Sequence, residues 1–139
     1  MKIMAIDYGD ARTGVAISDA GGILTGYTTV VPSYNQEKAL TALTALVSEH
    51  GVERLVIGLP RNMDGTEGKR AALCRAFAAR LEEAAGLTTI LWDERRTTVD
   101  AHRILSENNR RGKKRKECVD AVAASLILEG YLDFLKHSG

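Results

Sequence analysis

The run Arg54-Leu-Val-Ile-Gly-Leu59 constrains this chain more than any other segment. It is short and nearly all apolar, as expected of a central parallel strand covered on both faces. The segments around it read as helices. Before it, Ala39, Leu40, Leu43, Leu46 and Val47 fall on one helical face over 35–50, and Gly51 stands where a helix C-cap belongs. After a loop over 60–68, Cys74, Phe77, Ala78, Leu81 and Ala84 form a second stripe that runs to about Ala85, with Gly86 as the stop. A strand–helix–strand unit of this kind needs a parallel neighbour, and Thr88 to Trp92 supplies it.

The N-terminal third has a different rhythm. Residues 2–7 read as a buried strand, 13–18 as a second, and Ile23 to Val31 as a third, ended by Pro32 and Ser33. Asp19-Ala-Gly-Gly22 supplies the backbone angles of a tight hairpin. Beyond Trp92 the pattern predicts a short helix over 97–107, a polar loop over 108–115, and a last helix. That helix is striped by Val119, Val122, Ala123, Leu126, Ile127, Gly130, Tyr131 and Phe134. The order β-β-β-α-β-α-β-α-α predicts an α/β fold: a mixed five-stranded sheet, antiparallel meander plus parallel strands, flanked by helices. At 139 residues a single domain over 1–139 is expected.

No apolar stretch reaches membrane-spanning length, no secretory leader is evident, and Cys74 and Cys118 form no zinc or disulfide pattern. A cytoplasmic protein without membrane contact is expected. Its formal charge of +1 conceals an asymmetry. Arg110, Arg111, Lys113, Lys114, Arg115 and Lys116 are six of the 19 basic residues, leaving 13 against 18 acids elsewhere. Such a run either grips a polyanion or is a solvated, disordered stretch.

Acids stand at three costly places: Asp7 at the end of the first strand, the Asp93-Glu94 pair after the fifth, and Asp120 within the last helix. Side-chain alternation puts Asp93 and Glu94 on opposite faces, Asp93 with Leu91 and Glu94 with Trp92, and leaves open which of them meets Asp7. The competing reading is helix capping, with Thr97 or Thr98 as the cap and the two acids near the positive end of that helix. Asp120 shares a helical face with Ala124 and Ile127 and so points at the sheet. If the helix began near Val119, Asp120 would be an ordinary first-turn acid. Gly9 lets a ligand approach the backbone, and Arg12 is placed to reach a phosphate. In Gly58-Leu-Pro60-Arg-Asn62-Met-Asp64-Gly65-Thr66-Glu-Gly68 the glycines and the following helix N-terminus suit a phosphate, or Thr66 is simply the helix cap and Met63 packs beneath the loop. His50, His102 and His137 are scattered and read as surface residues, with a substrate contact the alternative for His102, which lies near the acid pair.

Carboxylates in the crevice at the strand ends suit two Mg²⁺ or Mn²⁺ ions about 4 Å apart, which activate water and stabilise a leaving oxygen. The lack of a Cys or His cluster agrees with hard, oxygen-loving cations. The candidate contacts to nucleic acid are Arg12, Asn62, Arg95 and the six basic residues over 110–116.

Four motifs carry a resemblance over nearly the whole chain: Asp7-x-Gly9-x-x-Arg12-x-Gly14-x-Ala16, Gly58-Leu-Pro60-x-Asn62-Met-Asp64-Gly65, Asp93-Glu94-Arg95-x-Thr97-Thr98 and Asp120-x-x-Ala123-Ala124. In this order and spacing the chain resembles the YqgF (RuvX) family, whose members have an RNase H-like fold. The resemblance implies a divalent-metal-dependent nuclease with Asp7, Glu94 or Asp93, and Asp120 as ligands. Similar proteins are assigned to maturation of the 5′ end of small-subunit ribosomal RNA, and the family is also described as Holliday junction resolvases. Precursor ribosomal RNA is therefore the first expectation for a partner and branched DNA the second, for a monomer or a homodimer. A binding-only module on the ribosome is the alternative of another class. Asp7-x-Gly9 before a hairpin also resembles actin-like and sugar-kinase ATPases, but those need a second domain for which 139 residues leave no room.

Overall fold

The computed structural model of the chain describes residues 1–96 and 112–138. Five strands form one mixed sheet: β1 (Ile3–Asp7), β2 (Arg12–Ser18), β3 (Thr25–Pro32), β4 (Arg54–Leu59) and β5 (Thr89–Asp93). Their order across the sheet is β3-β2-β1-β4-β5. β1, β2 and β3 form the antiparallel meander, while β4 runs parallel to both β1 and β5. The nearly all-apolar β4 thus lies between two parallel neighbours.

Strand alternation divides the core in two. Met4, Ile6, Val15, Ile17, Leu55 and Ile57 face helices α1 (Gln36–His50) and α2 (Lys69–Ala85), where Leu43, Phe77 and Leu81 are buried. Ile3, Ala5, Ala16, Val56 and Trp92 face the opposite way, onto Ala124, Ile127, Leu128 and Tyr131 of α3 (Gly112–Ser138). Both faces of the central strands are covered, which is why β1 is apolar up to Asp7 and β4 is apolar beyond Arg54.

Helix ends follow local chemistry. Asn35 caps α1 by accepting the Lys38 amide, and Gly51 and Gly86 close α1 and α2 in the left-handed conformation expected of them. Thr66 is not a helix cap. Gly68 occupies that position without a side-chain bond, and the Thr66 hydroxyl is engaged by Asp64 instead. β3 begins at Thr25 rather than Ile23, because the Asp19 carboxylate accepts the Ile23 amide and holds it in the hairpin turn. Residues 112–115, expected in a loop, are helical, since α3 is described from Gly112. Lys113, Lys114, Arg115 and Lys116 therefore lie in its first turns, and Asp120 lies two turns inside the helix. The helix expected over 97–107, with His102, Arg110 and Arg111, lies outside the described residues. Among the described residues no helix is long and apolar enough to cross a membrane.

Candidate active site

Asp7 continues the Ile3, Ala5 parity of β1, and Glu94 continues the Ile90, Trp92 parity of β5. Both sequences of residues pack on the α3 face, so both acids emerge on that side at the carboxyl edge of the sheet. Between them lies β4. Gly58 stands there on the same face, one step past the Ile6–Ile57 rung. A Cβ at Gly58 would lie 2.4 Å from Glu94 Oε1 and 2.6 Å from Ile127 Cδ1. The missing side chain is the gap through which the longer Glu94 reaches over β4, and its carboxyl is hydrogen-bonded to that of Asp7.

A second glycine lies on the other flank of Asp7. Gly14 of β2 is its register partner. A Cβ on Gly14 would stand 2.0 Å from the backbone oxygen of Asp120. The helix backbone is thus laid directly on the sheet, and the third acid arrives beside the first two. The carboxylate of Asp120 is taken by Arg12, with Nε 3.0 Å from Oδ2, and both side chains are largely but not fully covered. Gly9 has a more local purpose than ligand access: a Cβ there would lie 2.1 Å from the Arg12 carbonyl, in the turn that joins β1 to β2.

Burial, the proximity of Glu94 and their shared hydrogen bond, with a smaller contribution from Asp120, push the Asp7 carboxyl up to about 7. Glu94 is also raised, chiefly by burial, while the bond donated by Asp7 works the other way. Two crowded carboxyls therefore hold a proton between them, Asp7 as its donor.

Asp93 has a different environment. It follows Leu91, which packs on the α1/α2 side. Arg95 grips it with Nη2 at 2.6 Å and Nε at 3.0 Å from Oδ2, and Arg61 lies 3.8 Å away. The Arg95 bond holds this carboxyl down at about 2. Asn62 donates to Thr66 Oγ1 at 2.8 Å and accepts the Gly65 amide on its carbonyl, so it builds the loop's turn. Met63 does not pack beneath that loop but is 94% exposed at its tip.

Arg70 is the site residue that sequence reasoning missed. It donates to the Tyr8 carbonyl, lies 2.7 Å from Asp10 and stands over the Tyr8 ring at 5.2 Å. Its charge favours ionised Asp7 and Glu94, partly offsetting the effect of burial. A signal was present: Lys69-Arg70 opens α2 with no acid in the first turn, against the preference of a helix N-terminus for negative charge.

Among the described residues no three Asp, Glu, His or Cys side chains already converge to hold an ion. The donor chemistry nevertheless fits a hard divalent cation. Two carboxyls meet and share a proton that a cation would replace, and a third, Asp120, is close enough to act on Asp7 electrostatically.

The family model described as "RuvX: Holliday junction resolvase" matches residues 1–134. The chain belongs to that family. Among its RuvX relatives, a protein of Moorella thermoacetica is 45% identical over 139 residues, covering 100% of this chain and 99% of its own length. One from Halothermothrix orenii is 42% identical over 134 residues, 96% of each chain. Both bear the name "Putative pre-16S rRNA nuclease". Among solved structures, T. thermophilus RuvC in complex with a Holliday junction substrate superposes with a TM-score of 0.61 at 12% identity, covering 96% of each chain. The fowlpox virus Holliday junction resolvase gives 0.56 at 10% identity over 99% of each. At such identities the likeness is one of fold, and it bears out the RNase H-like sheet expected from the motifs.

Proposed function

We propose that this RuvX protein is a divalent-metal-dependent nuclease, acting as a single domain in the cytoplasm on the 5′ region of precursor small-subunit ribosomal RNA. The observation that carries the reading is the meeting of Asp7 and Glu94 across Gly58, with Asp120 brought alongside by Gly14. Placing two acids from strands that are not neighbours against one another is destabilising without a cation to share. The relatives' names supply the RNA substrate.

Asp7, Glu94 and Asp120 would hold the metal, with Glu94 rather than Asp93 as the middle ligand. When bound, the metal supplies activation of water and stabilisation of the leaving oxygen. Asp93 keeps Arg95 and Arg61 in place at the rim. Arg12 orients Asp120 and, being 30% exposed, offers its guanidinium to a phosphate at the same edge. Arg70 moderates the charge of the acid pair. The basic residues over 110–116 supply a salt-sensitive grip on the backbone.

The test is cleavage by the purified protein, with Mg²⁺ or Mn²⁺, of RNA spanning the precursor 5′ leader and of a four-way DNA junction, with Asp7→Asn as control. Cleavage of RNA that the substitution abolishes upholds the proposal. Symmetric nicking of the junction alone replaces RNA with branched DNA and calls for a dimer. A protein that cuts neither while binding the leader is a binding module.

A further inference from the structure

Two large apolar side chains stand in water at the edge of the sheet that carries the acids, and neither is used by the proposed chemistry. Tyr34 is 84% exposed and Met63 is 94% exposed. Single exposed apolar residues are common and need no explanation. These two differ because the backbone under each is held firmly.

Tyr34 follows Ser33, a buried residue whose amide donates to the Ala11 carbonyl and whose hydroxyl donates to the Gly9 carbonyl. It precedes Asn35, the cap of α1. The ring is thus carried on a segment tied to the turn that directly follows Asp7. Pro32 pairs with Arg12 in the sheet, which puts Tyr34 at the same edge as Asp7, on the β3 side.

Met63 stands on the β4–β5 side of the acids, at the tip of a turn. The Gly65 amide bonds to the Asn62 carbonyl, the Asn62 amide to the Thr66 carbonyl, and Asp64 accepts from both the amide and the hydroxyl of Thr66. Arg95 Nη1 closes on the turn, 3.5 Å from where a Gly65 Cβ would be. A turn so thoroughly hydrogen-bonded has no folding reason to present methionine, rather than a polar residue, to solvent.

We propose that Tyr34 and Met63 are platforms for unpaired nucleobases on either side of the scissile phosphate, so that the enzyme selects single-stranded nucleic acid. The inference rests on the nuclease reading and deepens it. A tyrosine ring and a polarisable thioether both gain by contact with a base face, and a pre-ordered backbone lowers the entropy cost of that contact. Arg12 on one side and the Arg61–Arg95 pair on the other lie where the connecting phosphates would run. Paired bases keep their faces stacked within the duplex, so a blunt helix cannot use either platform.

Fluorescence anisotropy in EDTA, where the strand stays intact, tests this with short labelled single-stranded RNA, its DNA counterpart, a blunt RNA duplex and an abasic single strand. Tyr34→Ala is expected to weaken single-strand affinity about fivefold or more and Met63→Ala about twofold or more, at an unchanged salt slope. Tyr34→Phe should keep the affinity, and the abasic strand should bind the wild type and Tyr34→Ala alike. RNA and DNA strands should respond alike, since every base has a stacking face. Both side chains are exposed, so melting temperatures should not move. Unchanged single-strand affinity, or an equal loss on the blunt duplex or the abasic strand, overturns the platforms. If cleavage of the precursor leader persists in that case, the nuclease reading stands without them. A wild-type protein that neither binds nor cuts any strand removes both.

Discussion

The proton shared by Asp7 and Glu94 makes the metal-free protein sensitive to pH in an unusual direction. In the unfolded chain Asp7 ionises near its ordinary value of 3.8, and in the native protein near 7. A carboxyl whose native pKa is raised gives its full contribution to stability below the unfolded value, and that contribution is lost as pH rises through the native value. Native stability should therefore fall between about pH 4 and 7 and level off above. One pKa unit is about 1.4 kcal/mol, so ionising Asp7 costs the native state on the order of 4 kcal/mol. That figure is an upper bound, because Glu94 shares the proton and the pair relaxes.

Asp7→Asn replaces the proton-bearing carboxyl with a neutral donor of the same shape. In EDTA at pH 8 the variant should be more stable than the wild type by a few kcal/mol, which for a chain of this size is roughly 10 °C in melting temperature. Near pH 4 the two should melt together. Mg²⁺ at pH 8 should recover much of the wild type's deficit and leave the variant unchanged, since a cation takes the place of the proton only where the carboxylate exists. Thermal melts followed by far-ultraviolet circular dichroism over pH 4–8 provide the measurement. Wild-type and variant curves running parallel across that range would refute the shared proton and, with it, the reason for placing a cation there.

Other expected outcomes follow from the glycines and the basic segment. Gly58→Ala should drive Glu94 away from Asp7 and abolish metal-dependent cleavage, while destabilising the fold by about 1–3 kcal/mol through its clash with Ile127; activity assays beside urea melts separate the two effects. Gly14→Ala meets backbone rather than a flexible side chain, at 2.0 Å. It should lift α3 from the sheet, with a larger loss in urea midpoint than Gly58→Ala. Neutralising Lys113, Lys114 and Arg115 together should weaken nucleic-acid binding and flatten its salt dependence by about 0.7 per lost phosphate contact on single strands. Mg²⁺ affinity, read by calorimetry, should stay the same; unchanged strand affinity at low salt would rule the segment out as a phosphate grip.

The fold was readable because its signals are local. β4 shows itself as a short apolar run, α1 and α2 by stripe and glycine stop, and the hairpin by Asp19 and the glycines beside it. Errors came where a residue had two local uses. Thr66 has the chemistry of a helix cap but spends its hydroxyl on Asp64, and Ile23 reads as strand but is claimed by Asp19. Arg70 was missed because its position at the edge depends on where α2 begins relative to β1, which no periodicity encodes.

The choice between Asp93 and Glu94 turns on a more general point. Alternation along β1 and β5 is fully written in the sequence, and it says that Asp7 goes with Ile3 and Ala5, Glu94 with Ile90 and Trp92, and Asp93 with Leu91. It does not say that those first two sets share a face, because the phase of one strand relative to another depends on register across β4. The Ile6–Ile57 and Ile57–Leu91 rungs supply that phase. Once they are known, Gly58 acquires a meaning that it lacked as one residue in an apolar run. It is the only residue of β4 on the α3 face without a side chain, since Arg54 and Val56 precede it on that face, and it lies where a carboxylate must cross. The sequence therefore held both the acids and the gap between them, while the pairing of strands distant in sequence decided which acid passes through it.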